Sequence, residues 1–204
     1  MLTIPQALAL ILKAIRALQP VRLPLADCLD RVLAEDIAAR GDIPPFPNSA
    51  MDGFAVRARD TRGAKPARPA ILAVIEDLPA GRVSRRAIRE GEAIRIMTGA
   101  PLPEGADAVV RVEDTAAAGR RRVKILAPAG SGLNLRKAGE SVRKGETVLR
   151  RGKVIRPQEI GMLASLGLPQ VKVIPRPTVA IISTGNELQE IDKNLSPGKI
   201  FKNL

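Results

Sequence analysis

From about residue 54 the chain is cut by glycine and proline into short runs of β-like character: "FAVRA", "AILAVIED", "EAIRIM", "DAVVRVEDT" and "RRVKIL". Proline removes a backbone donor and clashes with the preceding helical turn, while glycine costs a helix interior about 1 kcal/mol relative to alanine. A long helix cannot run through such a segment, whereas short strands joined by tight turns suit it. The spacing therefore predicts a small all-β module in the middle of the chain.

The flanks follow other patterns. "PQALALILKAIRAL", residues 5–18, follows Thr3 as a cap, places proline in the first turn and repeats apolar residues at Leu8, Ile11, Leu12, Ile15 and Leu18. This predicts an amphipathic helix stopped before Pro20. The extended piece "VRLPL" leads into "ADCLDRVLAEDIAAR", whose alanine content favours helix while a strand stays open. A second helix is predicted at "RPQEIGMLASLG", with Gly167 past its end, and a strand at "VKVI". "RPTVAIISTGNEL" reads as a fully buried parallel strand opening into a loop, the usual start of an α/β domain. Since about twenty residues follow it, fewer than the ~30 of one strand–helix–strand unit, the sequence is expected to stop inside a third structural unit.

Composition narrows the chemistry. With 204 residues and 45% hydrophobic content, a real core in one large or two modest domains is expected. No apolar run approaches the ~18 residues that a bilayer span requires, and Leu8–Leu12 is cut by Lys13 with no basic residue before it. A soluble, cytoplasmic protein without a membrane partner is expected. The single cysteine, Cys28, rules out an intrachain disulfide and a Cys-x-x-Cys site. Histidine is absent, which removes imidazole relays, Ser-His-Asp chemistry and the common zinc ligand sets. Catalysis must then use carboxylates, hydroxyls, cations or a metal. The net charge of +12 points to an anionic partner. Tryptophan and tyrosine are absent and phenylalanine occurs three times, so stacking platforms for single-stranded bases are missing; because acidic residues interleave the basic ones and no binding motif is present, a duplex partner is not expected either.

Four stretches concentrate candidate chemistry. "PFPNSAMDGFAV", residues 45–56, reads either as a plain loop, with proline restraint, Asn and Ser turns and an Asp-Gly hairpin, or as a rigid loop holding Ser49 and Asp52 for a metal or oxyanion. "IRIMTGAPLPEGADAVVRVEDT", residues 94–115, is either a hairpin turn or a strand that delivers Thr98 and Gly99 to an anion; it lacks the spacing of a P-loop. Between residues 136 and 156 basic side chains outnumber Glu140 and Glu146. That segment is either a solvated face or the place from which Arg136 grips a phosphate or oxyanion. "STGNEL", residues 183–188, offers Thr184, Gly185 and Glu187 at the carboxyl end of the expected parallel strand; Glu187 either binds a cation there or caps a helix.

Taken in order, "PPFPNSAMDGFAV", "IRIMTGAPLPEGADAVV", "NLRKAGE" and "VAIISTGNEL" resemble the MoeA-type molybdopterin molybdenumtransferases, related to the gephyrin E domain, over nearly the whole chain. The resemblance implies an α+β multidomain fold. In it an elongated α/β first domain, residues 1–50 plus 134–175, carries an inserted β-rich domain, residues 51–133, and is followed by the start of an α/β molybdopterin-binding domain, residues 176–204. It implies insertion of molybdate into adenylylated molybdopterin with release of AMP and help from Mg2+. Asp52, Thr98 and Glu187 then occupy catalytic positions, with Asp52 and Glu187 as metal candidates and Ser49, Gly99, Arg136, Thr184 and Gly185 on the substrate side. It further implies a homodimer in which Glu187 works with the partner subunit's second domain, and molybdopterin adenylyltransferase as the pathway partner. This sequence departs from the family pattern in having Ser141 after Gly139 and Glu140, where an aspartate is usual, and Pro47 and Phe54 where Asp and Tyr are common. A non-catalytic dimeric scaffold or binding subunit built from the same domains, or an inactive truncated form, is the alternative.

Overall fold

The computed structural model describes residues 2–202 and mixes α and β structure. Its contacts divide into two compact units, one of residues 1–35, 151–164 and 168–204, the other of residues 36–150 and 165–167.

In the first unit, helix α1 covers Ile4–Ala14. Thr3 and Gln6 form a reciprocal capping box and Pro5 stands in the first turn, as the sequence predicts. The helix ends sooner than expected, because Ile15 already has extended backbone. Strand β1 (Val21–Pro24), strand β2 (Val32–Leu33) and the later β13 (Gln170–Ile174) form an antiparallel sheet in the order β1-β13-β2. The ambiguous "ADCLDRVLAEDIAAR" thus resolves into a 3-10 turn at Leu25–Asp27, β2 and a further strand, β3 (Ile37–Ala38). Sheet partners recruited from more than a hundred residues away outweigh alanine's local helix preference. Helix α2 (Pro157–Ser165) buries Leu163 and Glu159, and the Glu159 carboxylate caps its start by accepting from the Arg156 N–H at 2.9 Å.

The expected buried strand at "VAIIS" does not form. Residues 175–185 have no regular structure, with Val179, Ile181 and Ile182 at 73%, 73% and 80% exposure. A doubly covered parallel strand needs parallel neighbours and helices on both faces, and the described residues bring none to this run. Two short strands, β14 (Leu188–Gln189) and β15 (Ile200–Phe201), pair in parallel beyond it.

The second unit holds the predicted β module, in which "FAVRA", "AILAVIED", "EAIRIM", "DAVVRVEDT" and "RRVKIL" all contribute strands. These are β5 (Gly53–Val56), β6 (Ala70–Leu78), β7 (Glu92–Ile96), β8 (Ala108–Arg111), β9 (Thr115–Ala117) and β10 (Arg122–Ile125), in the order β8-β5-β7-β6-β10-β9. All pairs are antiparallel except β6 with β7. The edge strands β8 and β9 are consecutive in sequence, joined by the 3-10 turn Val112–Asp114. A flat six-stranded sheet would hold its edges ~24 Å apart at the usual strand spacing, yet the link from Arg111 to Thr115 reaches at most ~14 Å. The sheet must therefore curl back on itself.

Curling gives the sheet an inner and an outer face. Phe54, Val56, Leu72, Ala93, Val110, Val123 and Ile125 pack together on the inner one. Ala55, Ile94, Ile96 and Val109, which alternate with them, pack on the outer side with Leu78, Ile88 and Ala100. Each of the larger fully buried side chains contributes about 1.5–3 kcal/mol. Two short ladders complete the unit: β4 (Asn48–Ser49) with β11 (Leu135–Arg136), and β3 with β12 (Thr147–Leu149).

The tightest approach in the sheet is at Gly53, where an added Cβ would lie 2.0 Å from the carbonyl oxygen of Val110 on β8. Backbone on both sides leaves no flexible atom to yield. Gly53→Ala is expected to destabilise the unit by roughly 2–4 kcal/mol, read as a lower urea midpoint, while Gly130→Ala, which meets open space, leaves the midpoint nearly unchanged.

Candidate active site

The fold brings the first two motifs together at one end of the curled sheet. Strand β5 starts there and β7 ends there, since Gly53 pairs with Ile96. Asp52 therefore enters β5 beside the point where Thr98 leaves β7. The Asp52 Oδ1 accepts two hydrogen bonds from Thr98, from its backbone N–H at 2.7 Å and its hydroxyl at 2.8 Å, although both residues are exposed. Asp52 is anchored through its backbone as well, its carbonyl accepting from the Val112 N–H at 3.1 Å.

These donors set the electrostatics. The Thr98 N–H and then its hydroxyl favour the ionised carboxylate and hold Asp52 below the usual carboxylate range; burial opposes them, and the positive charge of Arg95 adds a lesser push in their direction. With Oδ1 committed to Thr98, Oδ2 is the oxygen turned to other ligands. Among the described residues no three acidic or sulfur-bearing side chains cluster into a metal site. A magnesium ion here would rest on the single Asp52 carboxylate, with phosphate oxygens and water completing its shell. That arrangement fits the ion, which prefers one or two carboxylates and keeps several waters.

The other candidates take supporting places. Ser49 is fully buried on β4, and its hydroxyl donates to the Met51 carbonyl at 2.5 Å and accepts from the Met51 N–H at 3.3 Å, so it shapes the turn that delivers Asp52. Gly99 adopts a φ of 83° and donates its N–H to the Ser49 carbonyl at 2.9 Å. The N–H groups of Thr98, Gly99 and Ala100 all donate within the fold, to Asp52, Ser49 and Met97. The Thr-Gly-Ala loop thus holds a carboxylate and does not offer a cradle of free amides. Arg136 is exposed on β11, opposite Asn48 in register. Thr184, Gly185 and Glu187 belong to the other compact unit, on an exposed turn before β14 where the Glu187 carboxylate lies over Gly185. Glu140 accepts from the Lys137 N–H at 2.9 Å and so closes its own turn, while Ser141 is exposed.

Two residues escape a reading of the sequence. Arg95 is one of several exposed arginines until the β5–β7 register sets it opposite Phe54, one position from Gly53. Asn48 is 7% exposed, and its buried amide oxygen has no hydrogen-bond partner among the described residues. No local pattern marks either of them.

Thr98→Val removes the hydroxyl donor and keeps the amide donor. The Asp52 pKa should then rise partway toward the ordinary carboxylate range, as read by a 13C carboxyl titration. Because the folded value is depressed, the stabilisation that the ionised Asp52 confers is present above the ordinary range and lost as pH falls through the folded value. That loss should begin at higher pH in the variant.

Comparison with known proteins adds an independent line. The family described as "MoeA N-terminal region (domain I and II)" matches residues 2–167. Molybdopterin molybdenumtransferase 2 of Mycobacterium tuberculosis is 46% identical over 187 residues, covering 92% of this chain and 46% of that protein. The molybdopterin molybdenumtransferase of Staphylococcus aureus is 40% identical over 197 residues, covering 97% of this chain and 47% of the relative. The crystal structure of the molybdopterin biosynthesis moeA protein from Pyrococcus horikoshii OT3 superposes with a TM-score of 0.85 at 41% identity, over 98% of this chain and 53% of its own. The chain thus spans about half the length of the relatives it matches. On the match of fold, motifs and sequence, the chain belongs to the MoeA family, over the N-terminal region that comprises domains I and II.

Proposed function

We propose that this chain serves molybdenum cofactor biosynthesis as part of a molybdopterin molybdenumtransferase, in which molybdate is inserted into adenylylated molybdopterin and AMP is released. The observation that carries this reading is the exposed, ionised Asp52 held on Oδ1 by both donors of Thr98, in a chain of the MoeA family. Transfer at phosphorus depends on positioning and charge neutralisation more than on a protein base, which suits a chain without histidine. Magnesium held at Asp52 and the substrate phosphates would supply that neutralisation. Thr98 keeps the Asp52 carboxylate ionised and fixed in direction, and the Ser49 turn sets its height on the sheet end. Arg136, exposed on the strand beside Asn48, would add a bidentate grip on an oxyanion. Glu187, with Thr184 and Gly185, is assigned to the partner subunit's site.

The wider reading follows the same family. A first domain of residues 1–50 plus 134–175, an inserted domain of 51–133 and the start of a third from 176 would work as a homodimer in the cytoplasm, downstream of a molybdopterin adenylyltransferase. The apolar stripe of α1 supports self-association, since Leu8, Ile11 and Leu12 are 53%, 57% and 60% exposed and no residue of the helix is buried. The scaffold alternative draws on Ser141 and on Glu140, whose carboxylate is spent on the Lys137 N–H.

In the protein isolated from its own cells, Asp52→Asn is expected to lower molybdate-dependent AMP release by roughly a hundredfold or more with only a small fall in the thermal midpoint and the fold retained by circular dichroism; unchanged release would sink the role of Asp52, and no release from the unaltered protein would favour the scaffold. Leu8→Glu combined with Ile11→Glu should convert a dimer to monomer in sedimentation velocity, with the β sheet intact by circular dichroism.

A further inference from the structure

The crossover that joins the parallel strands β6 and β7 carries the run "RVSRRAIR", residues 82–89, with four arginines and no acid. The run is pinned at several points. Ile88 is 4% exposed and packs on the outer side of the sheet with Leu78 and Ile94. Its N–H donates to the Glu104 carbonyl at 2.8 Å. The Ser84 hydroxyl donates to the Glu76 carboxylate at 2.7 Å and accepts from the Arg86 N–H at 3.0 Å. The Arg89 N–H donates to Glu92 at 2.8 Å. The pairing of β6 with β7 slips by one residue between Val74 and Glu76, which leaves Ile75 without a register partner, and the Arg86 guanidinium donates to the Ile75 carbonyl at 3.3 Å.

A segment held this firmly would pair its charges if they served the fold. Arg82, Arg85, Arg86 and Arg89 are instead exposed, and none of them has an ion-pair partner among the described residues. The nearby acids are engaged elsewhere: Glu76 holds Ser84, Glu92 takes the Arg89 N–H, and Glu90 pairs with Arg57. Glu76 and Asp77 share a surface with Arg82, so the uncompensated charge is concentrated at Arg85, Arg86 and Arg89. These three border a groove of about 320 Å³ whose other lining residues are Ile75, Ala87 and Glu92. Like charges held close together repel one another, and an anion laid on this surface would relieve that cost.

We propose that this groove docks an extended acidic segment of a partner protein, its carboxylates gripped by Arg85, Arg86 and Arg89 and the methylene stems of its glutamates lying on Ile75 and Ala87. A planar guanidinium matches a carboxylate with two parallel hydrogen bonds, and arginine is favoured where proteins meet. From the Ser84 contact at Glu76 to the Gly91 contact at Ala73 the crossover follows β6 for ~10 Å. That is the length of about three residues of extended chain, whereas inorganic phosphate or a small organic acid would meet only part of the row. Nucleic acid fits less well, because residues 82–89 hold no aromatic side chain on which a base could stack. A membrane surface would find one large exposed apolar side chain in the run, Val83, against the broad apolar face that interfacial insertion requires. Neither Asp52 nor Thr98 lines the groove, so docking there is read without turnover.

The experiment is titration of the 204-residue chain with a capped, fluorescent hexaglutamate peptide, followed by anisotropy and by amide shifts. The peptide is expected to saturate, to move the amides of Arg85, Arg86, Ala87 and Arg89, and to weaken as salt rises from about 0.01 M to about 0.15 M and the screening length falls from ~30 to ~8 Å. Hexaglutamine should not bind. Arg85→Glu combined with Arg89→Glu, both exposed, should weaken the peptide roughly tenfold or more, with thermal unfolding little changed. Arg143→Glu combined with Lys144→Glu alters the net charge equally on another exposed stretch and should leave the affinity within about twofold. Equal weakening in the two double variants would mean diffuse attraction to a basic chain and would overturn the proposal. So would shifts elsewhere on the chain, no saturable binding, or an affinity no greater than that of citrate or inorganic phosphate. Tighter binding of hexathymidylate or of phosphatidylserine vesicles at the same residues would overturn it in favour of a nucleic acid or a membrane.

Discussion

The three-residue link Val112–Asp114 is the constraint on which the second unit depends. By tying the two edge strands together it forbids a flat sheet, and every later feature follows from that curl. It separates an inner face, where Phe54 and Val110 meet Val123 and Ile125, from an outer face covered by Leu78, Ile88 and Ala100. The link also supplies the Val112 N–H that anchors the Asp52 carbonyl, so the element that closes the sheet also holds the residue on which the chemistry is proposed to turn.

That economy explains the crowding of constrained residues in 45–56. Gly53 is there because β8 passes too close for a side chain, with the Val110 carbonyl 2.0 Å from where a Cβ would stand. Ser49 spends its hydroxyl on the Met51 backbone, and its own carbonyl receives the Gly99 N–H. Ser49 is a fixture for the turn that follows it, and that turn ends in a carboxylate facing solvent with one oxygen immobilised. An exposed carboxylate is ordinarily free to rotate. Here two donors from one threonine fix its direction and favour its charged form.

The strand runs were legible because their alternation and punctuation are local, and the same holds for the capped start of α1. The alanine-rich segment after residue 25 was misleading because its strands β2 and β3 are completed by β13 and β12, partners that no local window contains. "VAIIS" carried a true apolar pattern whose burial depends on neighbouring strands and helices, and the described residues provide none. Asp52 and Thr98 were each visible as a motif, but their contact spans 46 positions. Arg95 and Asn48 carried no signal at all.

By itself the sequence determined the kinds of chemistry open to the chain and the identity of its motifs: without histidine and with a lone cysteine, it must work through carboxylates, hydroxyls, arginines and borrowed ions. Those are properties of residue types and of order along the chain, which no fold can alter. Only the tertiary structure decided that the Thr-Gly-Ala loop spends its amides on Asp52 and its neighbours, and that Glu140 closes its own turn. Those outcomes depend on strand register and sheet closure, in which residues far apart in sequence are set a few ångströms apart by the pairing of backbone to backbone.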